Sequence, residues 1–197
     1  MKKFLIAVLI VAGIVGLGVA VVGGMYNQLV AADEGVSSGW GQVQSVYQRR
    51  MDLIPNLVET VKGYATHEKE TLEEVVNARS KVSQLNVSPE MVNDPEALSK
   101  FQQAQQGLSG ALSRLLVVVE RYPDLKANQN FLALQSQLEG TENRIAVERM
   151  RFNEAAQKFN TLRRSFPSNL IAGIGGFKEK AYFKADEAAA QAPAVKF

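Results

Sequence analysis

The chain has no cysteine. That absence excludes disulfides, thiolate zinc sites and thiol nucleophiles, while leaving open whether the chain sits in an oxidising or a reducing compartment. Histidine occurs once, as His67. A di-iron bundle needs a Glu-x-x-His motif on two helices, and a Ser-His-Asp triad would have to use this same residue without any nucleophile elbow to support it. His67 stands in a charged run, His67-Glu68-Lys69-Glu70, with Glu73 and Glu74 beyond, and this reads as a solvated face and not as a metal site. Gly173, Gly175 and Gly176 form no phosphate loop, since no strand pattern precedes them and no Gly-Lys-Ser/Thr follows. An excess of one charge is missing too. The 22 Lys+Arg face 20 Asp+Glu, and setting aside Lys2 and Lys3 leaves 20 against 20. The pI of 8.8 therefore reflects the N-terminal tip. The neutral remainder lacks the basic face that a nucleic-acid partner needs. These absences predict a chain without a metal, a cofactor or catalysis.

What is present is a long apolar run, Phe4 to Val22, without a charged residue. About 20 apolar residues rising 1.5 Å each cross a hydrocarbon core, and a helix of a soluble domain is rarely apolar all round for that length. The run predicts one transmembrane helix in an anchor over 1–25. Lys2 and Lys3 precede it, whereas Asp33 and Glu34 come before the first following cations, Arg49 and Arg50. Cations near a span stay cytoplasmic, so the expectation is a bacterial inner-membrane, single-pass protein. Its N-terminus would be cytoplasmic and its body on the outer, periplasmic face. The rival reading is a cleaved signal peptide with Gly18 and Ala20 before the cut, but the apolar run continues past that point. A lipoprotein anchor would need a cysteine. Ala12, Gly16, Ala20 and Gly24 recur every four residues along the span, a small-residue face of the kind that lets two helices approach closely in lipid.

Beyond the span the apolar residues keep a helical period. Val36, Trp40, Val43, Tyr47, Met51, Ile54, Val58, Val61 and Ala65 advance by three or four, and Leu72, Val75 or Val76, and Val82 extend the phase. The stripe is narrow, close to a coiled-coil seam. It predicts one helix from Val36 to Leu85, about 75 Å long, kinked but not ended by Pro55. Residues 86–94 read as a loop. Asp94-Pro95-Glu96 starts a second helix, with Asp as N-cap and Pro at the first position. Its stripe is Leu98, Phe101, Gln105, Leu108, Leu112, Leu115, Val119 and Tyr122, and Pro123 ends it. Asp124 is placed to cap a third helix striped by Phe131, Leu134, Leu138, Ile145, Phe152, Ala156, Phe159 and Leu162, closed by Phe166-Pro167-Ser168.

The expected fold is all-α: a transmembrane helix, then an antiparallel bundle of three long helices over 26–168, or four if the first breaks near Pro55. The second helix would span only about 42 Å, too short to cover the first. The uncovered stripe around Val36, Trp40, Val43 and Tyr47 is then expected to pack on a neighbouring copy. The segment 169–197 begins with a glycine-rich apolar stretch. Leu170, Ile171, Ile174, Phe177, Tyr182 and Phe183 in it are too apolar for a solvated tail and are expected to dock on the bundle, a neighbour or the bilayer surface. From Ala185 the chain is small and alanine-rich.

The same residues resemble the LemA family of bacterial membrane proteins. The likeness begins at Tyr26-Asn-Gln-Leu-Val30 and is strongest at Gln48-Arg-Arg-Met-Asp-Leu-Ile-Pro-Asn-Leu-Val-Glu-Thr-Val-Lys-Gly-Tyr64. It continues at Ala78-Arg79, Tyr122-Pro-Asp-Leu-Lys-Ala-Asn128, Phe131-Leu-Ala-Leu-Gln135 and Gln137-Leu-Glu-Gly-Thr-Glu-Asn-Arg-Ile145. Arg151-Phe-Asn153 and Phe159-Asn160 stand where the family often shows Tyr-Asn twice, with Phe replacing Tyr. The resemblance implies a membrane anchor and an antiparallel helical bundle, and it brings no catalytic residues.

Arg49, Arg50, Asp52, Glu59, Asn143 and Arg144 lie in or beside the stripes. They are expected to fix helix register through salt bridges and hydrogen bonds, the best-supported use of ions in a bundle, with ligand or partner recognition as the other reading. The functional expectation is a self-assembling scaffold of the cell envelope, in contact with membrane lipid and with its own copies. The alternative is an adaptor that binds another envelope protein or lipid through the bundle surface.

Overall fold

A computed structural model of the chain describes residues 1–65 and 67–184. Residues 185–197, the alanine-rich tail, lie outside the described residues. The described chain is helical without strands. Its elements are α1 (Lys2–Lys62), α2 (Lys69–Ser83), a 3-10 turn (Pro89–Asn93), α3 (Pro95–Val119), the single turn α4 (Pro123–Lys126), α5 (Gln129–Arg164) and the short α6 (Ser168–Ile174).

The apolar run and the first bundle helix are one element. α1 is a 61-residue helix that passes from the span into the body without interruption, about 90 Å in all. None of its most apolar 18-residue window is buried in protein, as expected of a surface that faces lipid. Pro55 lies inside the helix on its exposed side. Proline has no N–H for the carbonyl four residues earlier, here that of Met51. Arg79 Nε of α2 donates to that carbonyl at 3.1 Å, so a neighbouring helix supplies the donor that the proline lacks.

The first bundle helix does not reach Leu85. It stops at Lys62, turns through Gly63-Tyr64-Ala65, and the chain folds back as α2. Ala65 is buried in the turn, which is why the stripe seemed to run on: the turn keeps the apolar phase while reversing direction. The bundle is therefore four-helical in the body, with its break eight or more residues beyond Pro55. The reversal lets Leu72, Val75 and Val82 bury on α1 and α3, where a straight helix would have left them in water.

The four long helices run up, down, up and down. Contacts between Tyr64 and Asn128 (2.8 Å), Arg50 and Glu142 (2.6 Å), and Trp40 and Phe152 (ring centroids 5.8 Å) trace an antiparallel α1–α5 pair along the whole body. Glu68–Arg121 (3.1 Å) and Glu74–Arg114 (2.8 Å) do the same for α2 and α3. α3 starts as its sequence predicts, with the Asp94 carboxylate accepting from the backbone N–H of Glu96 and Ala97. α5 does not start at Asp124. Pro123 opens the one-turn α4 instead, and Asn128 caps α5 by accepting from Phe131 N–H at 3.0 Å.

Two cores fill the body. The distal one gathers Ile54, Leu57, Val61, Val75, Leu108, Leu115, Leu125 and Phe131 with their neighbours. The one nearer the span gathers Leu29, Val36, Trp40, Val43, Tyr47, Phe101, Phe152, Phe159 and Phe183. The stripe from Val36 to Tyr47 is thus buried inside the chain's own body and not left for a second copy. α5, which reaches far beyond α3, covers it together with the segment that follows α6.

Candidate functional site

Two arrangements set this body apart from a plain bundle. The first is Arg50, which is 1% exposed at the boundary between the two cores. Its Nη1 donates to Ser109 Oγ (2.8 Å) and Glu142 Oε1 (2.6 Å), and its Nη2 to Gln105 Oε1. The guanidinium also lies 5.2 Å from the Tyr47 ring centre. A buried guanidinium needs its five donors matched in one geometry, so this residue ties α1 to both α3 and α5 in a single register. Its Nε remains without an acceptor. Glu142 is 43% exposed, so solvent weakens that pair, and the neutral partners Gln105 and Ser109 hold the buried end. The other polar residues on these stripes do not join it. Arg49, Asp52, Glu59, Asn143 and Arg144 are exposed. Asp52 accepts from Gln48 on the same helix, and Glu59 lies 3.8 Å from Lys62.

The second arrangement is a strap, residues 177–184, laid in extended form across the proximal core. α6 ends in a glycine turn: Phe177 N–H returns to the Ala172 carbonyl at 3.1 Å around Gly176, whose φ is +71°, a Schellman closure that requires a residue without Cβ penalty. Gly175 is equally constrained, because a Cβ there would come within 2.8 Å of the Phe177 ring. An extended segment cannot satisfy its own backbone, and buried peptide groups need partners. Three side-chain carboxamides provide them. Asn160 Nδ2 donates to the Lys180 carbonyl (2.8 Å) while its Oδ1 accepts from Lys180 N–H (2.9 Å). Asn153 repeats this with Phe183, at 2.9 Å each way, and Gln102 of α3 with Lys184, at 2.9 and 3.2 Å. The spacing is geometric. Seven residues of helix from Asn153 to Asn160 rise about 10 Å, and three extended residues from Phe183 back to Lys180 cover about the same distance. Ala181 N–H adds a bond to the Val92 carbonyl at 2.7 Å.

The strap also seals the aromatic core. Phe183 packs on Trp40 (6.1 Å) and Phe152 (5.5 Å), and Trp40 in turn on Phe101 (5.7 Å). Lys180 is nearly fully buried. Its Nζ donates to Asn93 Oδ1 (2.8 Å), lies over the Phe159 ring, and approaches Asp33 Oδ1 to 2.6 Å. That last contact is an ion pair set off the hydrogen-bonding line.

The sequence identified Asn153 and Asn160 only through resemblance. Their role had one legible signal, a repeated Phe-Asn at a spacing of seven, which puts two rings into the core and two carboxamides along one line beside it. Of the tail residues expected to dock, Phe183 is buried, Ile171 and Phe177 are half-buried, and Leu170 and Ile174 are exposed. Ala12, Gly16, Ala20 and Gly24 share the bare surface of the span. His67 is exposed in the α1–α2 turn, and among the described residues no His, Cys, Asp or Glu group is placed to hold a metal ion. Among the described residues three ionisable groups depart from their ordinary values. The Tyr122 phenol is raised, chiefly by its hydrogen bond to Glu68. Lys100 is raised by its bond to Glu96, and Glu90 is lowered by a bond from Ser88.

Comparison with known proteins gives a family match and several relatives. The family model described as the LemA family matches residues 39–197. Magnetosome protein MamQ 2 of Paramagnetospirillum magneticum is 27% identical over 175 residues, covering 81% of this chain and 64% of that protein. Magnetosome protein MamQ of Magnetospirillum gryphiswaldense is 28% identical, over 80% of this chain and 64% of its own length. Protein LemA of Metamycoplasma hominis is 26% identical over 83% of this chain and 71% of its length. The chain spans less than two thirds of the length of the magnetosome relatives that it matches.

Proposed function

The chain belongs to the LemA family, and from that premise we propose that it is a non-catalytic scaffold, holding a rigid helical body over one face of a membrane and assembling with its own copies. The observation that carries this reading is the continuity of α1. A single helix runs from the apolar span through the body to Lys62, so the body cannot swing on a linker, and its height and orientation follow those of the span. The body has closed its own stripe, so the contact between copies falls to the bilayer. There the Ala12/Gly16/Ala20/Gly24 face is free of protein neighbours and suited to close helix packing. Copies tethered in one membrane meet at high effective concentration, and weak contacts suffice. Lys2 and Lys3 support an outer-face body, and added protease should digest it in intact spheroplasts.

A mass measurement of the 21.5 kDa chain in mild detergent and in nanodiscs tests the assembly. The expected result is a particle of several copies that shrinks in Gly16→Leu while the helical content is kept. A monomer in both media would overturn the scaffold reading and favour the adaptor. That second reading has an observation of its own: three carboxamides that clamp an extended segment by its backbone form a groove able to hold a partner's extended peptide in place of the strap.

A further inference from the structure

We propose that α6 is a second membrane contact, a short interfacial anchor whose exposed apolar residues enter the hydrocarbon beside the span. The apolar run ends at Val22, so a bilayer centred on it has its near boundary at about that level. α6 does not sit above this level. A groove between the two elements is lined by Val15, Val19 and Val22 on α1 and by Ile171 and Ile174 on α6. Val15 to Val22 covers about 10 Å along the helix, and Tyr26 and Asn27 line the same groove above that level, so α6 straddles the boundary with its lower part beside the outer layer of the hydrocarbon.

The side chains fit that position and no aqueous one. Phe166 is 82% exposed, Leu170 60% and Ile174 91%. Together they make an apolar tip on a body whose other large side chains are mostly buried. Leu170 and Ile174 are one helical turn apart and share a face. Ala172 and Ser168, on the other side, are buried against the body. Exposed Arg164 and Lys178 stand two residues before Phe166 and four after Ile174 in the chain, and such long cations keep their charge among headgroup phosphates while their stems follow apolar surface. Tyr26 stacks edge-on against Phe177 at 5.6 Å, at the level where amphipathic rings mark a membrane boundary. The occupant of this surface is therefore lipid, because the groove is continuous with the lipid-facing surface of the span. Two contacts on one rigid body fix its rotation about the axis of the span as well as its tilt, which a single helix cannot do.

The absence of cysteine makes the test direct. Single-cysteine variants Phe166→Cys, Ile174→Cys, Val19→Cys and Val117→Cys of the full chain carry a nitroxide label in phosphatidylcholine vesicles. Val19 reports the span, and Val117 is an exposed apolar residue of α3 away from α6. Collision with oxygen, which concentrates in lipid, is compared with collision with a water-soluble nickel complex. Labels at 166 and 174 should favour oxygen as the one at 19 does, with the reverse at 117. A label at 174 that meets nickel as freely as the one at 117 overturns the proposal. So does one shielded from both reagents, which would mean that protein covers the tip. Neither result depends on particle mass, so the anchor and the self-assembly reading stand or fall separately.

Discussion

The distal half of the body is aliphatic and walled by four helices, whereas the half nearer the span is aromatic and walled by three helices and an extended strap. The two are built from the same stripes on α1, α3 and α5, and differ in what closes them. α2 ends at Ser83, so beyond that level one wall of the bundle is missing. Where four helices pack, leucine and valine fill the space between them. Where a helix is absent the gap is wider, and Trp40, Tyr47, Phe101, Phe152, Phe159 and Phe183 fill it, each burying 150–250 Å² as a rough range. The chain then needs a fourth wall with no room for a helix. An extended strap is thin enough, but its backbone has to be satisfied from outside, and the carboxamides of Gln102, Asn153 and Asn160 do that. A helical wall brings its own hydrogen bonds, while an extended wall makes its neighbours supply them.

That contrast can be broken at its centre. Trp40→Ala should cost about 3–5 kcal/mol, as truncation of a buried aromatic does, and should also loosen the strap by removing the floor under Phe183. Leu115→Ala in the distal core should cost about 2–5 kcal/mol and leave the strap in place. Urea unfolding followed by circular dichroism gives the costs, and tryptic cleavage at Lys178, Lys180 and Lys184 reports the strap. Equal strap release in both variants would mean that the two halves are one cooperative unit. Because Trp40 is interior, the particle mass should not change; a fall in mass would return it to the role of a contact between copies.

Arg50→Ala lies between the halves and should cost somewhat less, about 2–3 kcal/mol. It leaves Gln105 and Ser109 with unmet polar atoms in the interior, while Glu142, at 43% exposure, regains water. Arg50→Met keeps the stem packing and should recover part of the loss, because an arginine's aliphatic stem contributes packing as well as charge. Urea midpoints of the two variants compare them directly, and a loss no smaller in Arg50→Met would show that the polar partners and not the packing carry the effect.

Asn160→Ala should have the smallest global effect, about 1–3 kcal/mol for two buried peptide groups left unpaired, and most of it should appear locally. Tryptic cleavage at Lys180 should rise sharply while the urea midpoint moves little. If the midpoint falls as far as in Trp40→Ala, the strap is part of the cooperative core and not a wall added to it.

The amino-acid order alone determined which long stretches are helical. The apolar run from Phe4 to Val22, the period of three or four beyond it, Asp94-Pro95 at the start of α3 and Phe166-Pro167 at the end of α5 each carry their signal within a few residues, and local signals survive without a tertiary context. What the sequence left undecided was direction and cover. The reversal at Gly63-Tyr64-Ala65 was hidden because a turn can keep the apolar phase of the helices on either side, and only the burial of α2 against α3 selects it. Asn128 took the capping role from Asp124 because a one-turn helix could form in between. Trp40 looked uncovered since two of its covering rings, Phe152 of α5 and Phe183 of the strap, come from more than a hundred positions away, and Tyr47 packs on Phe101 of α3, which helix length alone had put out of reach. Arg50 was one polar residue among six until three helices placed it in the interior. Distance along the chain is the physical reason in each case: a periodic pattern states which face of an element is apolar, and only the packed chain states what lies against it.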